Sequence, residues 1–360
     1  MHKIGIFVIA AVLSVACKNS GSDANNDTVQ RENTEKQEEV KAPDIHKVII
    51  DSLSGVLDKN PKDIASLVAR GNAYLDAKNP AYARADADAA YYLDSTKANV
   101  LLLRGDVYYV LNKTRISRDM WERCSNQFPK DKDCRLRMAE LYLAVKDLES
   151  ALKRVNEVLE IEPKEATALF MKGVCIRDLY ADTALAMQYF QRAIDMRDGD
   201  YIEALDMMGV MLSHKRDPMA ISYFKNALAL DPNRADLYHK IGLSYTYEDE
   251  YNAALEAYEK SLQLNPRNDE VYFNIGFIHI TLHNYDLAID NFNKSLAIRE
   301  MNVKALYGRG FAYEMRGDVM NAAKDYKSCL GMYPDFNPAK VALQRIDRMM
   351  KEDNIGPDNQ

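Results

Sequence analysis

The chain has 360 residues, 47% of them hydrophobic and 28% charged, and a formal net charge of −7. That profile is globular and long enough for one elongated domain or two compact ones. Its 47 lysines and arginines are scattered, not clustered, which argues against a nucleic-acid surface.

At the N-terminus a short basic start, Met1-His2-Lys3, precedes an unbroken apolar run from Ile4 to Ala16, and Cys17 follows. The run is too short to cross a bilayer comfortably and reads as the apolar region of a secretory signal, residues 1–16. The stretch Leu13-Ser14-Val15-Ala16-Cys17 resembles a bacterial lipoprotein signal, although the leucine stands four residues before the cysteine. The resemblance implies cleavage before Cys17 and lipid attachment to its thiol. Lys18, standing where an aspartate would retain the protein at the inner membrane, implies an outer-membrane lipoprotein, facing the periplasm or the cell surface. An ordinary signal peptide cleaved nearby is the alternative. The rest of residues 17–43 is almost free of apolar side chains and is expected to be a disordered tether. A flexible segment of that length reaches on the order of 25 to 30 Å.

Beyond the tether the chain repeats. Gly71, Gly105, Ala139, Gly173, Gly209, Gly242, Gly276 and Gly310 recur at steps of 33 to 36 residues, and a proline series from Pro61 to Pro334 keeps the same beat. One unit reads ADLYHKIGLSYTYEDEYNAALEAYEKSLQLNP from Ala235. Tyr238, Ile241 and Tyr245 form an apolar stripe on a first helix, and Ala254, Tyr258 and Ser261 form one on a second. Small residues let the two axes approach, while Pro266 ends the second helix. This arrangement resembles the tetratricopeptide repeat over residues 44 to about 350. The fold class expected is all-α: a right-handed α-solenoid of eight repeats over residues 64–336. The units start near Ile64, Ala98, Lys132, Ala166, Ile202, Ala235, Asp269 and Val303.

Repeat one is the weakest, with Ala87 at the aromatic place of its second helix and Ser95 where proline would stand. Repeat two puts the single tryptophan, Trp121, at the aromatic place. The fourth unit holds extra residues near Ala181 and again near Gly199, expected to lengthen loops. Residues 44–63 read as an N-terminal capping helix, an orphan second helix with Ile49, Leu53 and Val56 at its packing places. Residues 337–351 form an amphipathic C-terminal cap, and 352–360 a disordered tail.

No catalytic constellation emerges: there is no phosphate loop, nucleophile elbow or paired His and Ser signature. No cofactor is expected. His279 and His283 are four residues apart, but His279 occupies an interior place and a third ligand is lacking, so no metal site is expected. Cys124, Cys134, Cys175 and Cys329 read by default as buried free thiols. A Cys124–Cys134 disulfide is the alternative in an oxidising compartment.

Function must then lie on the surface. The family resemblance implies a concave groove that receives a protein or peptide through the second, fifth, ninth, twelfth and thirteenth places of each unit. In the N-terminal half these positions are polar and mainly acidic, with Asp106, Arg137 and Glu140 among them. In the C-terminal half they are His239, Leu243, Tyr247, Phe273, Phe277, Ile280, Tyr307 and Phe311, and Phe170 with Val174 makes a smaller apolar patch. No unit pairs lysine at the fifth place with asparagine at the ninth, so the family's carboxylate clamp is not expected. An apolar groove suits hydrophobic anchors on a partner helix or strand. Phe277 and Phe311 packing on one another is the competing reading, and self-association into a homodimer is a third. The expected function is a membrane-anchored, non-enzymatic binding scaffold. Its alternatives are a structural or assembly subunit of an outer-envelope complex and, more distantly, an envelope enzyme.

Overall fold

The computed structural model describes residues 44–353. The signal segment, Cys17, the tether and residues 354–360 of the expected tail lie outside the described residues.

Among the described residues there are eighteen helices and no strand. The first helices of the hairpins are α2 (Ile64–Asp76), α4 (Ala98–Val110), α6 (Lys132–Ala144), α8 (Ala166–Tyr180), α10 (Ile202–His214), α12 (Ala235–Tyr247), α14 (Asp269–Thr281) and α16 (Val303–Met315). The second helices are α3 (Pro80–Leu93), α5 (Thr114–Gln127), α7 (Leu148–Ile161), α9 (Thr183–Asp195), α11 (Met219–Leu230), α13 (Tyr251–Leu264), α15 (Tyr285–Ile298) and α17 (Val319–Met332). A single helix precedes them, α1 (Ile45–Lys59), and one follows, α18 (Asn337–Asp353).

The helices form two compact units, residues up to Leu141 and residues from Tyr142 onward. Within the first, α1 packs on α2, α2 on α3, α3 on α4 and α4 on α5. Within the second, each helix from α7 to α18 packs on the next.

Local chemistry sets the helix ends. After most first helices one residue adopts left-handed backbone: Lys78, Asn112, Asp249, His283 and Gly317 have φ between 56° and 90°. The next amide then reaches back to the last turn, as Lys113 N–H to the Tyr108 carbonyl at 2.8 Å and Asp318 N–H to that of Tyr313 at 2.8 Å. This closing bond is the Schellman pattern. Three second helices start on aspartates: Asp147, Asp182 and Asp318 each accept a backbone N–H from the first turn. Several stop one residue short of X-Pro, as α13 does at Leu264, because Pro266 drives Asn265 out of helical backbone.

The two insertions of repeat four have different fates. The first adds length to α8, which has 15 residues where most first helices have 13, so it does not lengthen the loop. The second widens the connection after α9, where Asp198 and Gly199 both take left-handed backbone.

Ring-on-glycine contacts make the core of six of the eight hairpins, repeats one and three having Ala87 and Val155 at the ring's place. A Cβ added to Gly105 would sit 2.2 Å from the Trp121 ring, one on Gly173 2.6 Å from Phe190, and one on Gly242 2.4 Å from Tyr258. Real Cβ contacts are never so short, so the first helix passes over the ring only because glycine is there. Repeat one, which has Ala87 in place of a ring, closes differently: Leu103 of the following helix stands 2.7 Å from the Cβ that Gly71 lacks. The weak repeat is thus filled by its neighbour.

Gly242→Ala is expected to cost about 1 to 3 kcal/mol through overpacking, despite alanine's better helix propensity. Gly331, in α17, has open space around it; alanine there is expected to be neutral or to stabilise by up to about 1 kcal/mol. Chemical unfolding of the two variants beside the parent chain checks both.

Candidate partner-binding face

All ten residues expected to line the apolar groove belong to the second unit, on α8, α12, α14 and α16. The fifth-place residues lean inward. Phe170 is 6% exposed and packs against Phe190 and Tyr201, with ring centroids 5.5 and 5.3 Å away. His239 lies 5.9 Å from Tyr258, Phe273 5.8 Å from Phe292, and Tyr307 5.5 Å from Tyr326. The cause is helical geometry: the fifth place is one turn before the glycine at the eighth, so both meet the same second-helix ring. Phe170 is therefore interior and lines no open groove. His239, Phe273 and Tyr307 are only half-exposed flanks.

The ninth and thirteenth places carry the open surface. Phe277 is 50% exposed and Tyr247 45%, and the Arg216 guanidinium stands over the Tyr247 ring at 5.8 Å. Val174, Leu243, Phe311 and Ile280 are half-buried, and Ile280 packs with Phe273 and Tyr307 onto the core of the last repeats. Met315 is also well exposed. It is absent from the sequence expectation, and its signal is the thirteenth place that it shares with Tyr247. Among the large apolar residues of α14, Phe277 alone stands well exposed.

Burial pushes the His239 pKa below its ordinary value, favouring the uncharged ring, and its Nε2 lies 3.0 Å from the Asn274 side-chain amide in the next first helix. The face between α12 and α14 is knit by this contact. One cleft of the unit, of about 470 Å³, lies along α7 beside Lys153, Glu157 and Tyr180.

The polar places of the first unit are largely consumed internally. Asp106 accepts from Trp121 Nε1 at 3.0 Å and from Arg137 Nε at 2.8 Å, while Arg137 Nη1 donates to Glu140 at 3.1 Å. Burial raises the Glu140 pKa, Arg137 opposes this, and nearby Asp106 adds to the rise. One guanidinium serves two carboxylates here.

Cys124 and Cys134 are bonded to one another, against the default expectation of free thiols. Their Cα atoms are 5.6 Å apart, ordinary disulfide spacing, because Cys124 closes α5 and Cys134 opens α6 across a short turn. Cys175 and Cys329 are buried free thiols whose pKa burial pushes up to about 11. His279 and His283 do not share a helix. α14 ends at Thr281, and His283 sits in the turn with its Nδ1 2.9 Å from the Tyr285 hydroxyl. Among the described residues there is no group of three potential metal ligands and no helix long and apolar enough to cross a membrane.

α18 is held by Glu314, the twelfth-place residue of the last repeat. Arg345 Nη2 donates to it at 2.7 Å and the Tyr326 hydroxyl at 2.8 Å. Burial would raise the Glu314 pKa, but these two donors hold it below the ordinary carboxylate value.

Comparison with known proteins agrees with this architecture. Residues 242–282 match a model of the TPR repeat, and residues 136–201, 269–300 and 304–335 match models of the tetratricopeptide repeat. The chain therefore carries tetratricopeptide repeats. Among solved structures it resembles the Cut9–Hcn1 hetero-tetramer of the APC/C, with 16% identity and TM-score 0.56 over 82% of this chain and 58% of that one. It also resembles the C-terminal part of a TPR repeat-containing protein from Cytophaga hutchinsonii, with 18% identity and TM-score 0.53 over 66% of this chain and 98% of that one. PilF of Pseudomonas aeruginosa matches with 21% identity and TM-score 0.51 over 61% of this chain and 97% of that one. These likenesses establish the fold. No curated protein sequence matches. Tetratricopeptide domains generally bind protein partners, and the fold is typically a non-enzymatic scaffold.

The Glu314 pKa is lower in the folded than in the unfolded chain, so its pairing stabilises above the ordinary carboxylate value and is lost as pH falls through the folded one. Glu314→Gln is expected to cost about 1.5 to 3 kcal/mol near neutrality, with the gap to the parent closing below pH 4.5. Unfolding curves across acid pH measure this. In a Cys17→Ser chain, thiol titration is expected to find no reactive thiol in the native state and two after unfolding, from Cys175 and Cys329. Four are expected when reduction accompanies unfolding.

Proposed function

We propose that the chain is a membrane-anchored, non-enzymatic scaffold whose first-helix face in the second unit binds a protein or peptide partner. The observation that carries this is Phe277, half exposed on a helix whose other large apolar residues are packed. Tyr247 stands at the thirteenth place of the preceding repeat, equally open. Half-buried Leu243 and Phe311, at the ninth places of the flanking repeats, supply an apolar floor. A partner segment offering hydrophobic side chains fits this face better than an acidic or basic tail does.

Two principal anchors set the scale. Fully burying an apolar side chain contributes about 1.5 to 3 kcal/mol, and association and ordering costs come off that sum. Binding is accordingly micromolar or weaker, suited to exchange or to reinforcement by co-localisation. The anchor rests on the sequence from Ile4 to Cys17, with attachment at the outer membrane favoured by Lys18. The Cys124–Cys134 pairing supports an oxidising compartment such as the periplasm.

A Tyr247→Ala, Phe277→Ala chain, shown by circular dichroism to keep its helices, is expected to lose at least about tenfold in capture of envelope proteins that the parent retains. Retention of every partner by the double variant would sink the binding face. Separately, metabolic labelling with a fatty acid is expected to mark the parent and not Cys17→Ala; an unlabelled parent would refute the anchor.

A further inference from the structure

The first helix in the array, α1, has a face that its own hairpin should have covered. In a complete repeat the second helix buries three places against its first helix. Ala254, Tyr258 and Ser261 of α13 are each 0% exposed, as are Ala288, Phe292 and Ser295 of α15. The corresponding places in α1 are Ile49, Leu53 and Val56. Ile49 is 42% exposed and Val56 44%, while Ile45 and Val48 stand out further. α1 packs on α2 as a second helix packs on the following first helix, through Leu57. Its other side is exposed among the described residues.

The register of the repeat would put a first helix before α1 at residues 30–42, QRENTEKQEEVKA, which lie outside the described residues. That segment carries only Val40 and Ala42 as apolar residues and has no stripe to lay on α1. The uncovered face is continuous: Ile45, Val48, Ile49, Ser52, Gly55 and Val56 follow helical spacing and none is charged. Ile45, Ile49, Ser52 and Val56 are separated by four, three and four residues, the alternation of a two-helix seam. Ser52 and Gly55 are small and exposed, with open space around the Cβ that Gly55 lacks, so a second helix can approach closely.

We propose that this face is covered by α1 of a second copy of the chain, in an antiparallel pair about a two-fold axis near Ser52. Self-complementarity argues for it, since an uncharged stripe meets its own image without burying any charge. Its flanks also match. Reflection about Ser52 sets Asp58 of one copy beside His46 of the other, and Lys59 beside the turn holding Asp44. A lipid surface fits less well: the polar side of α1 carries Asp51 and Asp58 as well as Lys47 and Lys59, and the helix has no aromatic residue.

The pairing is independent of the lipid anchor and of the Phe277 face, so it is tested on the unlipidated chain from residue 17 carrying Cys17→Ser. Sedimentation equilibrium over a concentration series is expected to show a reversible monomer–dimer system. Val56→Lys and Ile49→Glu should each weaken the dimer at least about tenfold, with circular dichroism and thermal unfolding otherwise preserved. Ser52→Cys, in a chain whose remaining cysteines are bonded or buried, should yield a covalent dimer on mild oxidation. A Glu256→Cys control, on exposed α13 surface, should not. The proposal is overturned if the parent remains monomeric throughout, if the α1 variants dimerise as well as the parent, or if Ser52→Cys cross-links no faster than the control. Binding of the unlipidated parent to anionic vesicles that Val56→Lys abolishes would also overturn it, by assigning the face to lipid.

Discussion

The constraint on which the hairpins depend is the seat of one second-helix ring on a first-helix glycine. Trp121, Phe190, Phe224, Tyr258, Phe292 and Tyr326 each occupy the volume where a Cβ would be. This contact fixes how deeply the two helices interpenetrate and so where every other side chain on the first helix points. Residues one turn before the glycine are drawn onto the same ring. Those at the ninth and thirteenth places are turned outward. The position of the proposed binding face is therefore a consequence of the core, not a separate feature laid over it.

That dependence explains which parts of the architecture could be read from the residues alone. A period near 34 with glycine, aromatic and proline in fixed order specifies helix pairs, because few other backbones would place those residue types together. The left-handed turn was not legible in the same way. Lys78 and His283 occupy a conformation usually taken by glycine or asparagine, and only the hydrogen bond closing the helix behind them justifies it. Nor was the fate of repeat four's extra residues legible, since inserted chain can join a helix or a loop with little difference in local propensity.

The residues expected to line the groove differ in exposure for a related reason. Counting places along the helix treats the fifth and ninth as equivalent, yet the first sits over the ring and the second does not. Phe170 and Phe277 look alike in sequence and differ in exposure from 6% to 50%. The acidic character assigned to the N-terminal half suffered similarly. Asp106 and Glu140 are committed to Arg137, so much of that charge is neutralised before any partner arrives.

Charge is used in a further way that a scattered distribution conceals. In the first and last repeats the seventh-place arginine of the first helix grips an aspartate of the second with both ends of its guanidinium. Arg70 bonds Asp86 at 2.7 and 2.8 Å, and Arg309 bonds Asp325 at 2.7 and 2.8 Å, the aspartates being almost fully buried. Of the six repeats between them, four place Met138, Met208, Ile241 and Ile275 there instead, while Arg104 and Lys172 keep the place basic, and Arg104 bonds Asp88 of the preceding second helix at 3.1 Å. An array of stacked hairpins is weakest where a unit has a neighbour on one side only. Bidentate pairing restricts geometry as well as adding energy, so it suits hairpins that cannot be clamped from both sides. The same Arg70 also reaches Ser54 of α1 at 3.0 Å, and at the other end Glu314 holds α18 through Arg345. Directional polar contacts thus fix α1 in the first unit and α18 in the second.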